Sequence, residues 1–179
     1  EYVSVPDNDG YDFGTGDFSL EAWIKRSAAP SGGTQFILAH DGEGESDSWE
    51  LYQSNGSSTL NSRIGLVTVT SGTEEINDNR WHHIVLTIDR DGYGSIYKDG
   101  VLSGTADDIS SESSTSITKN ASLRIGARTS PNYWDGSIDE VSVYKGVVLS
   151  PTQIKRHYDL GKAAVEAGTR NYSKGFTYA

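Results

Sequence analysis

Apolar residues recur at every second position along much of this chain. Phe18, Leu20 and Ala22 share one face of a segment that ends at Ile24, and Ile84, Leu86 and Ile88 share one face of another. That period puts one side of a strand against a core and the other toward solvent or a second layer. The pattern predicts strands at 2–5, 18–24, 35–40, 49–52, 63–70, 81–89, 93–98, 101–103, 122–127 and 137–144. Residues 79–100 carry the clearest signal: two strands joined at Asp91-Gly92, with a second turn at Asp99-Gly100 launching a third. In 63–70, Ile64, Leu66 and Thr68 fall on one face. In the last strand Ile138, Val141 and Val143 break the alternation, which places a β-bulge at Asp139-Glu140. A short helix follows. Ser150 is its N-cap, Pro151 its first residue, Gln153 the second half of a capping box, and Gly161 its stop. The expected fold is all-β, an antiparallel sandwich over 1–161 with this helix at its end. Residues 162–179 are a C-terminal extension that suits a partner contact or disorder.

Composition narrows the picture. A chain of 179 residues with 20 glycines, 10 tyrosines and 4 tryptophans fits many short strands in one domain. The net charge of −10 disfavours a nucleic-acid surface, which needs a basic stripe. There is no cysteine, hence no disulfide framework and no thiolate chemistry. No run approaches the ~20 apolar residues of a membrane span, so no membrane insertion is expected. Glu1 in place of an initiator methionine reads as a processed or excised piece.

Three pieces resemble a known family. They are Phe18-Ser19-Leu20-Glu21-Ala22-Trp23-Ile24; Trp81-His82-His83-Ile84-Val85 with Tyr97-Lys98-Asp99-Gly100; and Gly136-Ser137-Ile138-Asp139-Glu140-Val141 with Leu149-Ser150-Pro151-Thr152-Gln153-Ile154. In content, order and spacing they are similar to the laminin-G-like and pentraxin-like branch of the concanavalin A-like lectins and glucanases. The resemblance runs from Tyr2 to Gly161. It implies a jelly roll of two antiparallel sheets and a role in binding sugars, proteins or cell surfaces, often with calcium. One departure stands out. Pentraxins carry an acidic calcium loop between their last two large strands, whereas Arg128-Thr129-Ser130-Pro131-Asn132 has no acid here. Their paired calcium site is therefore not expected.

Candidate chemistry is sparse. Glycosidases on this scaffold need two carboxylates facing across a cleft. Asp139 and Glu140 are adjacent, so on a regular strand they face opposite ways, and no enzyme is expected. His82 and His83 diverge for the same reason and read as structural. Calcium takes oxygen donors from loops. Its candidate ligands are Asp41, Glu43, Glu45 and Asp47, with Asp139 at the bulge as a second place. Sugar binding needs an exposed aromatic flanked by hydrogen-bonding groups. Asn132, Tyr133, Trp134 and Asp135 offer these in one loop, and Trp49 with Tyr52 offers a second platform. Trp134 is open to two readings, platform or core. Trp23 and Trp81 are expected in the core. The leading reading is a non-catalytic module that recognises a glycan or a protein or cell surface. The alternative is a virion or other assembly protein whose tail, with Tyr172, Phe176 and Tyr178, locks onto a neighbouring subunit and so makes a homo-oligomer. A glycoside hydrolase ranks third. Each of these places the chain outside the cell, at a cell surface or on a virion.

Overall fold

The alternation closes a core between two antiparallel sheets in a computed structural model that describes residues 1–40, 46–73, 75–128 and 132–166. The strands are β1 (Val3–Val5), β2 (Phe18–Lys25), β3 (Gln35–His40), β4 (Trp49–Gln53), β5 (Leu60–Ile64), β6 (Val67–Thr70), β7 (Trp81–Ile88), β8 (Tyr93–Lys98), β9 (Val101–Leu102), β10 (Asp107–Asp108), β11 (Leu123–Ile125) and β12 (Ser137–Lys145). One sheet has the order β1-β11-β3-β4-β5-β6, and the other β10-β8-β7-β2-β12 with β9 beside β8. Between them lie Phe18, Leu20, Ala22 and Ile24 from β2, Ile84, Leu86 and Ile88 from β7, and Leu38, Trp49, Leu51 and Ile64 from the facing sheet. The expected jelly-roll sandwich is the fold.

Several local expectations meet the structure closely. The register between β12 and β2 slips between Asp139 and Ser142, and Glu140 takes a φ of 48°, so the bulge sits where the alternation breaks. Ser150 and Gln153 form the capping box: the Ser150 amide donates to Gln153 Oε1 at 3.0 Å, and the Gln153 amide to Ser150 Oγ at 3.4 Å.

Three expectations are corrected. The segment 63–70 is two strands, β5 and β6, because Gly65 turns the chain at φ 59°. Leu66 then sits on the turn, 69% exposed, and shares no face with Ile64. The helix α1 (Pro151–Glu166) does not stop at Gly161. A Cβ at Gly161 would lie 2.5 Å from Trp23 Cζ2, so the glycine is there to let the helix close on the indole. Trp23 is buried by that helix, on the outer side of its sheet, while Trp81 is only partly buried and belongs to neither core cluster. Residues 167–179, including the aromatic tail, lie outside the described residues.

Candidate functional site

The sandwich has two outer faces, and α1 covers one of them. Even-numbered positions of β2 face the core, so Ser19, Glu21 and Trp23 face outward beneath the helix. Ile154 and Leu149 pack there on Val85. Glu21 forms the polar centre. Its Oε1 lies 2.7 Å from His83 Nε2, and its Oε2 accepts the Tyr144 hydroxyl at 2.7 Å and lies 3.0 Å from His157 Nδ1 on α1. Burial alone would raise the Glu21 pKa, but hydrogen bonds from His83, Tyr144 and His157 outweigh it and hold the carboxyl down at about 2. Burial, with the Glu21 carboxylate beside it, pushes the Tyr144 phenol up to about 12. This cluster ties the helix to the sheet.

His82 points the other way from His83 and is held at the end of β7. Its Nδ1 is 2.8 Å from Asp99 Oδ2 and its Nε2 is 3.0 Å from Asp78 Oδ1. Burial opposes the charged ring, yet the two carboxylates win and lift its pKa above the ordinary value. Asp99 also accepts the His83 amide through Oδ1 at 3.0 Å, so it ties the β8–β9 turn to β7.

The opposite face, on the sheet containing β4, has a different character. Register places Phe36, Tyr52, Asn61 and Thr70 in one outward row, and Arg124, Ala39, Glu50, Arg63 and Thr68 in the next. Phe36 is buried yet belongs to neither core cluster. Tyr52 lies beside it, with ring centroids 5.4 Å apart, and the Arg128 guanidinium sits 5.0 Å over its ring. Glu50, 1% exposed, is held from both sides: its Oε2 is 3.0 Å from Arg63 Nη2 and its Oε1 is 3.1 Å from Arg128 Nη1. The side chains of Arg63 and Arg128 retain 23% and 11% exposure. Burial raises the Tyr52 phenol pKa, Glu50 adds to the rise, and Arg63, Arg128 and a hydrogen bond with Thr68 oppose it, so all five groups share one electrostatic neighbourhood.

The candidate residues scatter on this frame. Trp49 is a correction: it is wholly buried in the sandwich, its indole donating to the Tyr11 carbonyl at 3.0 Å, and it offers no face to a sugar. It alternates with Glu50 along β4, so the same period that exposes Tyr52 buries Trp49. Trp134 is 6% exposed, lies in the core cluster and is covered by the Arg26 guanidinium at 4.5 Å, which settles its two readings in favour of the core. Tyr133 stacks on Tyr2 at 6.1 Å, and Asn132 beside it is partly exposed. The Asp135 amide donates to Gln35 Oε1 at the start of β3, which anchors this loop near the end of the face that Tyr52 occupies. Glu50, Arg63, Arg128 and Phe36 escaped the sequence reading. The signal for Glu50 and Arg63 was available in the polar positions alternating with Leu51 and Ile64, but the partner strands were not known.

Two of the five calcium candidates, Asp47 and Asp139, lie among the described residues. Asp41, Glu43 and Glu45 lie outside the described residues. Asp47 sits 3.3 Å from Lys119 Nζ, and Asp139 Oδ1 accepts the Glu140 amide at 2.8 Å within the bulge. Among the described residues the one group of three metal-capable side chains is Asp7, Asp12 and His40, whose ligand atoms lie within 4.8 Å of one another. Its donors do not fit calcium, which takes an all-oxygen shell: one is an imidazole, and Asp12 Oδ1 already accepts the Lys119 amide at 2.9 Å. A groove along α1 lined by Pro151, Thr152, Lys155, Arg156, Asp159 and Leu160 holds an exposed Lys155–Asp159 pair and no convergent chemistry.

Comparison with known proteins agrees with this architecture. Neuronal pentraxin-1 of Rattus norvegicus is 32% identical over 94 residues, which is 51% of this chain but only 21% of the relative. Among solved structures, the binding domain of Paraclostridial Mosquitocidal Protein 1 superposes with a TM-score of 0.72 at 15% identity, over 89% of this chain and 41% of that one. A putative carbohydrate binding protein from Bacteroides ovatus gives 0.67 at 22% identity, over 87% and 44%. No helix among the described residues is long and apolar enough to cross a membrane. The model for the concanavalin A-like lectin/glucanases superfamily, in its laminin-G form, matches residues 1–155, and the chain belongs to that superfamily.

Proposed function

We propose that this domain is a non-catalytic recognition module that binds a glycan displayed outside the cell, using the outer face of the sheet that contains β4. One observation carries the reading. That face sets the half-buried aromatic Tyr52 beside the Arg63–Glu50–Arg128 cluster, whereas α1 packs over the other face. An aromatic beside oriented polar groups is the arrangement by which proteins grip a sugar ring. The likeness to binding domains, including the carbohydrate binding protein from Bacteroides ovatus, supports it. Hydrolysis has no support at this face. Both oxygens of Glu50 face a guanidinium, so it is engaged in ion pairs, and the outward rows supply no second carboxylate across a cleft.

A glycan array with wild-type protein and the Tyr52→Ala variant tests this. Binding to some class of glycan by the wild type, lost in a variant that melts at the same temperature, is the expected result. Binding that survives the substitution would move the site elsewhere. A calcium titration read by melting temperature tests the loop 41–47 separately: a rise of several degrees supports a cation site there, and an unmoved curve removes it.

A further inference from the structure

We propose that His82 is a pH-set latch: its doubly protonated ring ties loop 75–80 to the end of β7, and the loop is let go when the ring loses a proton. The inference is independent of the glycan-binding reading.

The two ring nitrogens carry it. Nδ1 lies 2.8 Å from Asp99 Oδ2, and Nε2 lies 3.0 Å from Asp78 Oδ1. An ionised carboxylate only accepts, and a neutral imidazole has a single N–H. Both contacts are therefore hydrogen bonds only when the ring holds two protons and a positive charge. The His82 side chain is 8% exposed, so little water reaches the ring to replace a lost partner.

The other charges nearby leave these two acids in control. Arg80 stands beside Asp78 on the loop, with its Nε 3.7 Å from Asp78 Oδ2. Lys98 on β8 opposes the charge on the ring and donates to the Glu75 carbonyl at 2.6 Å. Arg26, at the end of β2, turns its guanidinium to Gln53 and Trp134. Lys25 and His83 belong to the opposite face of the sheet, where α1 lies. Lys155 of α1 packs its stem on Gly100 in the β8–β9 turn and gives its amine to Asp159.

The remaining holds decide which side releases. Asp99 Oδ1 also accepts the His83 amide at 3.0 Å, and the Asp99 amide donates to the His83 carbonyl at 2.8 Å. The turn thus stays on β7 and keeps the last N–H of the ring. Asp78 then faces a bare ring nitrogen, and two acceptors repel. Its segment has need of the latch. Asn79 stands at φ 63°, a left-handed conformation that a non-glycine residue keeps only when its surroundings hold it. Ile76, 2% exposed, is seated in the core. Burial opposes the charged ring, but Asp99 and Asp78 raise its pKa above 6.5. The latch therefore contributes in full below pH 6.5 and loses its contribution as pH rises through the raised value.

Nuclear magnetic resonance of the wild type and of Asp78→Asn, joined to melting curves of His82→Gln, is the test. Two protonated nitrogens on the His82 ring at pH 6 are expected, with a midpoint above 6.5. The Ile76 methyl and Arg80 amide resonances should move with that same midpoint. In Asp78→Asn the midpoint should fall, and the Ile76 and Arg80 resonances should cease to follow it. The wild type should melt about 3 °C above His82→Gln at pH 6, and at least half of that gap should be gone by pH 9. A ring with one proton at pH 6 overturns the proposal, as do Ile76 and Arg80 resonances indifferent to its titration. A response of Ile76 that persists unchanged in Asp78→Asn overturns it too. If His82→Gln fails to fold, Asp78→Asn decides alone, because it alters an exposed residue outside the core.

Discussion

The two outer faces of this sandwich each bury a glutamate on an interior strand, and they hold it by different means. Glu21 on β2 is enclosed by His83, Tyr144 and His157, and the last of these arrives on a helix that seals the face. Glu50 on β4 is clasped by two arginines whose side chains still reach solvent. A buried carboxylate is costly unless paired, so both need their partners. The difference lies in what those partners can do afterwards. Imidazole and phenol locked beneath a helix can only secure that helix. The two arginines keep part of their side chains in solvent. One glutamate fastens a helix, and the other lies in the face proposed to bind a glycan.

Breaking the fastener should have the larger effect. Glu21→Gln leaves buried His83 and partly buried Tyr144 facing an amide, and is expected to cost about 3 kcal/mol in urea denaturation, as for loss of one partner from a buried cluster. The same residue shapes the acid limb of stability. Its folded pKa of about 2 lies below its ordinary value of 4.5, so its contribution is complete above pH 4.5 and disappears as pH falls toward 2. Tyr144 acts in the opposite sense: raised from 10.0 to about 12, it contributes fully below pH 10 and loses that contribution as pH climbs to 12. The wild-type melting curve should drop at both ends, and Glu21→Gln should flatten the acid drop. A variant with an undiminished acid limb would detach Glu21 from that role.

The helix can also be challenged without touching charge. Gly161→Ala should help any exposed helix by about 1 kcal/mol. Here the new Cβ would stand 2.5 Å from the Trp23 ring, and overpacking of that kind typically costs about 1–3 kcal/mol. The melting temperature is expected to fall. A rise would mean that α1 does not rest on Trp23.

How much of this was legible beforehand follows from which interactions are local. The bulge at Asp139-Glu140 shows in the spacing of Ile138, Val141 and Val143, and the capping box needs only Ser150 and Gln153, so both were readable. Gly161 was misread because glycine usually ends a helix, whereas its function depends on Trp23, far away in the chain. Leu66 fits the alternation of 63–70 as well as a turn does, and only the pairing of β5 with β6 decides between them. The outer face around Tyr52 was the least visible part. Tyr52 was picked out as an aromatic, but its value comes from Arg63 and Arg128 on other segments, and no spacing rule connects them. Trp49 attracted attention for the same chemical reason as Tyr52 and lies in the core.

The clasp itself should yield less on breaking than the fastener. Glu50→Gln removes a carboxylate whose partners can turn to water, so about 1 kcal/mol is expected, well under the cost at Glu21. A loss as large as that at Glu21 would mark the arginines as purely structural and erase the contrast between the faces.

The smallest effect on stability should come from Tyr52→Ala, and it is the most informative. Tyr52 is partly exposed and lies outside both core clusters, so its removal is expected to cost under about 1 kcal/mol. If its role is to carry a ligand, affinity should collapse while the denaturation midpoint barely moves. Phe36 beneath it makes the outcome sharper. That ring lies against Tyr52 and under the Arg128 guanidinium, so Tyr52→Ala uncovers part of it. A sugar could still stack on the exposed Phe36, but without the phenol hydroxyl. Residual weak binding by Tyr52→Ala, abolished in Tyr52→Ala/Phe36→Ala, would therefore place the ligand on this row. Full binding by the double variant would empty the face of function and leave the two glutamates alike, both structural.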